Sequence, residues 1–179
     1  MDDTIQNGLV ILHKKIKFLW LAVLSGMLII ILLSYVLYNF QIIELTPVIN
    51  PQDADKISLV LIVVLVLAIF FLKRSYLIAS KIKEKAARNL NKINREDFTF
   101  LALDREEHSL LASSILYVNK IYLIIWFLAE LVVLIAFVNF ILAPLINTFL
   151  IYSFVGLYSL AANYPSLRIY KKLYIYIVS

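Results

Sequence analysis

The chain alternates long apolar runs with short connections that contain polar residues or proline. Apolar runs cover residues 18–40, 57–72, 121–142 and 145–164. Their lengths are close to the roughly 20 residues that a helix needs to cross a hydrocarbon core about 30 Å thick. The pattern therefore predicts an all-α integral membrane protein with four transmembrane helices.

Residues 1–17 have a different, amphipathic pattern. Ile5, Leu9, Leu12 and Ile16 recur at spacings of three and four, which places them on one face of a helix. Lysines follow near the end of this stretch, where the helix dipole favours cations. We expect an N-terminal amphipathic helix that lies in the headgroup region ahead of the first span.

Prolines mark the connections between the apolar runs. Pro47 and Pro51 lie in the segment 41–56, which we expect to be a non-helical loop, because proline interrupts helices. Pro144 marks a tight turn between the third and fourth runs, and Pro165 ends the fourth. The remaining segment, 165–179, is rich in Tyr, Ile and Lys, which is typical of a tail at the membrane interface.

The segment 73–120 is the only long polar stretch. It keeps a helical stripe of apolar residues, so we expect the second helix to continue beyond residue 72; the stripe is Ile78, Ile82, Ala86, Leu90 and Ile93. Asp104 followed by Glu107 matches a capping box, which starts a second helix. The segment predicts a helical hairpin inserted between the second and third spans.

Composition and charge agree with a membrane location and indicate an orientation. Apolar residues make up 63% of the chain, against about 45–50% in soluble domains. Of the 17 Lys and Arg residues, only Lys56 lies in the connections after the first and third spans. Because positive residues remain on the cytoplasmic side, we expect a multi-pass protein of a bacterial or archaeal cytoplasmic membrane, with both termini and the 73–120 hairpin inside.

Glu130 is the one Asp, Glu, Lys, Arg or His residue within the four apolar runs. A carboxylate at the centre of a span costs about 2.5–3.5 kcal/mol on insertion scales, so it has to be protonated, paired or hydrated. At the same depth we expect Ser25 on the first span, and Tyr152 and Ser153 on the fourth. Two interpretations stay open: a proton or cation site, or a structural hydrogen bond to a neighbouring helix.

The fourth run carries small and polar residues at helical spacing: Ser153, Gly156, Ser159 and Asn163. Small residues allow helices to approach closely, so we interpret these positions as a helix-packing face. The alternative is that they line a polar pathway.

Basic residues are concentrated in the central segment, at Lys81, Lys83, Lys85, Arg88 and Lys92. They are candidates for contact with anionic lipid headgroups or with an acidic partner protein. The alternative is that they have no specific partner and only reflect the general excess of Lys and Arg in cytoplasmic segments of membrane proteins. His108, beside Glu106 and Glu107, has too few neighbouring ligands for a metal site and is expected on a solvated helix face.

Signatures of catalysis are lacking. The chain has no cysteine and three glycines, and contains no Gly-rich phosphate loop, HExxH or GxSxG motif. We therefore expect neither an enzyme, a cofactor, a metal site nor a nucleic-acid partner. The favoured function is a non-catalytic membrane subunit, an assembly or scaffold component whose partners are the lipid bilayer and other membrane subunits or further copies of itself. The alternative is a homo-oligomeric ion channel or proton-coupled transporter centred on Glu130.

Overall fold

The computed structural model describes residues 3–40, 47–90, 98–101, 103 and 105–178. Within these residues the protein is all-helical, with six α-helices and no strand. The helices are α1 (Asp3–Asn39), α2 (Pro51–Tyr76), α3 (Ala79–Ala87), α4 (Glu106–Leu142), α5 (Ile146–Ala161) and α6 (Leu167–Val178).

Three of the described helices are long and apolar enough to cross a membrane, namely α1, α2 and α4. This supports the predicted membrane location. The fourth apolar run forms α5, which has only 16 residues. At 1.5 Å per residue α5 is about 24 Å long, somewhat less than the thickness of a hydrocarbon core.

The N-terminal amphipathic stretch and the first apolar run form one helix. α1 continues without a break for 37 residues. Its predicted stripe of Ile5, Leu9, Leu12 and Ile16 is buried, and a methyl group added at Gly8 would overlap the Phe100 ring. The amphipathic face is therefore covered by the protein's own chain, whereas the sequence led us to expect lipid headgroups.

The start of α2 differs from the prediction that 41–56 is a loop. Pro51 is the first residue of α2, a position that suits proline because its missing N–H has no helical acceptor there. Asn50 precedes it and its Oδ1 accepts a hydrogen bond from the Gln52 N–H at 3.0 Å. This cap starts the helix six residues ahead of the apolar run. Residues 41–46 lie outside the described part.

The expectation that the second helix continues past residue 72 holds only to Tyr76. Ile78 has an extended backbone and precedes a separate helix, α3. The interruption allows Ile82 and Ala86 of α3 to be buried, and the Ser113 hydroxyl of α4 donates to the Ala86 carbonyl at 2.8 Å. Ile93 and the Asp104 half of the capping box lie outside the described residues; α4 begins at Glu106, near the predicted start.

The chain divides into two compact units. Unit 1 consists of Met1–Trp20, Leu72–Ile124 and Tyr164–Ser179, and unit 2 of Leu21–Phe71 and Ile125–Asn163. In unit 2, the apolar parts of α1, α2, α4 and α5 form a helical bundle around a core of Ile62, Val132, Ala136, Phe140, Phe149 and Tyr152. In unit 1, the tail forms the amphipathic helix α6, which buries Tyr170, Leu173 and Ile177.

Candidate functional site

Glu130 lies on a partly exposed face of α4 in unit 2. Its side chain is half-buried, and the neighbouring positions on that face are the exposed apolar residues Phe127, Leu134 and Val138. Within the described residues the Glu130 carboxyl has no hydrogen-bond or ion-pair partner. The face is therefore an apolar stripe with one unsatisfied polar group near its middle.

Gly26 of α1 lies beside the Glu130 carboxyl. A methyl group placed on Gly26 would lie 3.7 Å from Glu130 Oε1, an ordinary van der Waals distance. The adjacent Ser25, which the sequence analysis placed near Glu130, has an exposed side chain. Gly26 has no side chain and therefore offers the carboxyl no side-chain hydrogen bond.

The interior side of this region is closely packed. A methyl group on Gly156 of α5 would lie 2.7 Å from Val133 Cγ2, 3.0 Å from the Ala129 carbonyl oxygen and 3.3 Å from Met27 Cε. Residues of α1, α4 and α5 therefore meet at Gly156 with no room for a side chain. Close approach of this kind is typical of membrane helices that pack through small residues.

The remaining members of the small and polar stripe of the fourth run are also buried, namely Ser153 and Ser159 of α5 and Asn163, two residues beyond its end. The Asn163 Nδ2 group donates to the Ser159 carbonyl at 2.7 Å. The Asn163 carbonyl accepts from Trp126 Nε1 at 2.9 Å, which ties the end of α5 to α4. Ser153 Oγ has no partner in the described residues.

Tyr152, predicted to lie near Glu130, makes its hydrogen bond elsewhere. Its hydroxyl donates to Asp55 Oδ1 at 2.6 Å, linking α5 to the N-terminal part of α2. The sequence pattern could not reveal this pair, because the partners lie 97 residues apart. The sequence also favours an interfacial position for Asn139, near the end of the third run. Its side chain is instead only 2% exposed, and its two amide atoms have no partner in the described residues.

In unit 1, three separate segments of the chain are joined by polar contacts. His13 Nε2 donates to the Pro165 carbonyl at 2.8 Å, and the Tyr170 hydroxyl donates to Asn119 Oδ1 at 2.5 Å. Burial raises the pKa of Tyr170, and the nearby Tyr122 adds to that rise. The phenol therefore stays neutral over the ordinary pH range.

The predicted basic residues occupy different environments in unit 1. Lys81, Lys83 and Arg88 are exposed and Lys85 is half-buried; Lys92 lies outside the described residues. Lys83 Nζ lies 5.9 Å from the centre of the Tyr176 ring, and Arg88 pairs with Glu84 at 2.7 Å.

The expectation that His108 faces solvent is wrong. Its side chain is only 8% exposed, and its Nδ1 atom has no partner within the described residues. Across those residues no group of three or more His, Asp or Glu side chains is arranged to hold a metal ion.

Comparisons with other proteins add no further assignment. No protein-family model, curated protein or solved structure matches this chain.

Proposed function

We propose that the protein is a non-catalytic integral membrane subunit that assembles laterally with other membrane helices through the Glu130 face of α4. The observation that carries this proposal is a half-buried carboxyl that has no partner among the described residues, on a stripe with exposed Phe127, Leu134 and Val138. In hydrocarbon such a group requires a polar neighbour. A helix of a partner subunit, or of a second copy, supplies both the apolar contact and the hydrogen bond.

The proposed topology has four spans and cytoplasmic termini. The N-terminal, central and C-terminal segments belong to one compact unit, and contacts such as His13–Pro165 and Tyr170–Asn119 hold them together. Segments in contact lie on one side of the membrane, so each intervening stretch crosses an even number of times. We assign the crossings to the apolar parts of α1, α2 and α4 and to α5, whose shorter length is accommodated by local thinning of the bilayer.

The same unit contains every Lys and Arg residue except Lys56, which supports its placement in the cytoplasm. There, α3 and the first turns of α4 form the cytoplasmic helical insertion, with the Ser113–Ala86 hydrogen bond between them. Because these 179 residues contain no cysteine, single introduced cysteines test this topology cleanly. We expect Lys81→Cys to react with an impermeant maleimide only after the membrane is opened, and Asn147→Cys to react in intact cells.

The alternative is a homo-oligomeric ion channel or proton-coupled transporter centred on Glu130. The same unsatisfied carboxyl favours it, because such groups mark ion and proton pathways. The close packing at Gly156 favours assembly instead, because it leaves no room for an aqueous route between α1, α4 and α5 at that point.

Two substitutions at Glu130 separate the two functions. Glu130→Leu removes the polar group, whereas Glu130→Gln keeps hydrogen-bonding capacity and removes the titratable proton. Asn147→Leu, which also replaces an exposed polar side chain of unit 2, serves as the control. Each variant is extracted from its native membrane in mild detergent, and the mass of the complex is measured by light scattering and mass spectrometry.

We expect Glu130→Leu to dissociate the complex while Glu130→Gln and Asn147→Leu retain it. Interhelical hydrogen bonds of this kind contribute about 1–2 kcal/mol, or roughly a tenfold change in association. A wild-type protein that is a lone monomer in every mild condition would refute assembly. Ion or proton flux into liposomes that disappears in Glu130→Gln, with the complex intact, would establish the alternative.

A further inference from the structure

Unit 1 contains a cavity of about 490 Å³ between the end of α2, α3 and the first half of α4. Its size falls in the range of small-molecule sites. The lining residues are Leu72, Tyr76, Lys85, Asn89, Ser113, Leu116, Tyr117, Lys120, Ile121 and Ile124.

The lining of this cavity has one cationic and one apolar part. Lys85 and Lys120 supply two positive charges, and no carboxylate is among the described residues that line it. Glu84, the acid next to Lys85 in the sequence, pairs with Arg88 instead. As far as the described residues show, the two lysines therefore present their charge without a paired acid to whatever occupies the cavity.

The apolar part of the lining continues into membrane-spanning helices. Leu72 belongs to the apolar run of α2, and Ile121 and Ile124 belong to that of α4. A ligand held by the lysines thus also meets a surface suited to a hydrocarbon chain. A free inorganic anion or an acidic peptide would leave that surface unused.

Tyr117 adds an unsatisfied hydrogen-bond donor. Its hydroxyl is buried and has no partner in the described residues, although the residue lines the cavity. Burial raises the pKa of Tyr117, and the neighbouring Tyr76 adds to the rise. The phenol is therefore a neutral donor that can bond to a phosphate or ester oxygen.

We propose that this cavity binds one anionic phospholipid, with Lys85 and Lys120 on its headgroup phosphate and an acyl chain along Leu72, Ile121 and Ile124. The site is distinct from the Glu130 face and goes beyond the assembly function proposed above. Binding in this cavity is also more specific than the diffuse attraction of basic residues for an anionic surface. It requires Lys85 and Lys120, and not the other basic residues of segment 73–120.

The test uses the full-length protein in a neutral detergent, titrated separately with dioleoyl phosphatidylglycerol and dioleoyl phosphatidylcholine and observed by native mass spectrometry. The cavity variant is Lys85→Gln with Lys120→Gln. Its matched control is Lys81→Gln with Lys172→Gln, which removes the same charge from exposed positions of unit 1 outside the cavity. Circular dichroism verifies that both variants keep their helix content.

We expect the wild type to prefer phosphatidylglycerol, and the cavity variant to lose about fivefold in affinity per lysine, or about 25-fold in total. The control should stay within about threefold of the wild type. Tyr117→Phe, which keeps the ring, should weaken binding by a smaller factor. Equal losses in the cavity variant and the control would overturn the proposal in favour of diffuse charge.

Competition distinguishes the lipid from other anions. Millimolar inorganic phosphate or a poly-glutamate peptide should not displace phosphatidylglycerol, because neither contacts the apolar part of the lining. Displacement by phosphate would reassign the cavity to a free anion, and displacement by the peptide would reassign it to an acidic protein partner.

Discussion

Replacing Gly156 by alanine tests the close packing of α5 against α4 and α1. The added methyl group would lie 2.7 Å from Val133 Cγ2 and 3.0 Å from the Ala129 carbonyl oxygen, where 3.4–4 Å is an ordinary separation. A backbone carbonyl within a helix cannot rotate away, and a β-branched valine has little rotamer freedom. The helices therefore have to separate by several tenths of an ångström.

The expected loss of stability combines two opposing effects. Inserting a methyl group into a well-packed interior costs about 1–3 kcal/mol. Replacing glycine by alanine within a helix returns up to about 1 kcal/mol. The net loss is about 1–2 kcal/mol, which for a chain of this length corresponds to a fall in Tm of about 2–8 °C.

Gly26→Ala is the matched control, because it makes the same chemical change in a neighbouring helix. There the new methyl group would meet only Glu130 Oε1, at 3.7 Å. The stability of Gly26→Ala then depends mainly on the higher helix propensity of alanine, so we expect its Tm to stay constant or rise. Tm is measured for both variants in one mild detergent at one heating rate by circular dichroism at 222 nm. A Gly156→Ala protein as stable as Gly26→Ala would refute the close approach of α5.

Three further predictions concern individual hydrogen bonds. Trp126→Phe leaves the buried Asn163 carbonyl without its donor and should destabilise the protein by about 2 kcal/mol, seen as a lower Tm; an unchanged Tm would contradict it. In a double-mutant cycle with Tyr152→Phe and Asp55→Ala, measured by unfolding in sodium dodecyl sulfate, we expect a coupling energy of about 1 kcal/mol, whereas additive losses would exclude the bond. The folded-state pKa of Tyr170 is raised above the unfolded value, so its contribution to stability is complete below about pH 10 and is lost as pH rises further. Tyr170→Phe should therefore flatten the decline of Tm between about pH 10 and 12, and an equally steep decline would refute this.

Several elements followed directly from the sequence. The apolar runs at 57–72 and 121–142 fall within long apolar helices, and so does the run at 18–40 except for its last residue. Backbone N–H and C=O groups in an apolar environment need hydrogen-bond partners, and a helix supplies them within the run itself. Pro144 and Pro165 lie between helices, as predicted. These features depend on local chemistry and on spacing along one helix, both of which a sequence displays.

Tertiary contacts decided other features. The amphipathic stripe of α1 indicated that this face is buried, but not that other parts of the same chain pack against it. Helix α2 ends at Tyr76 although neither glycine nor proline follows, because the burial of Ile82 and Ala86 favours a separate α3. The two acidic residues before His108 suggested a solvated helix face, but the His108 side chain is buried.

In the candidate site, too, some features could be predicted from the sequence and others required the tertiary structure. Glu130 stood out in the sequence because an ionisable group in an apolar run is costly wherever it faces. Its neighbour Gly26, the tight contacts of Gly156 and the bond between Tyr152 and Asp55 required the folded chain. Periodicity reports which residues share a face of one helix, whereas contacts between helices depend on their rotation and depth, and those are set only when all the helices pack together.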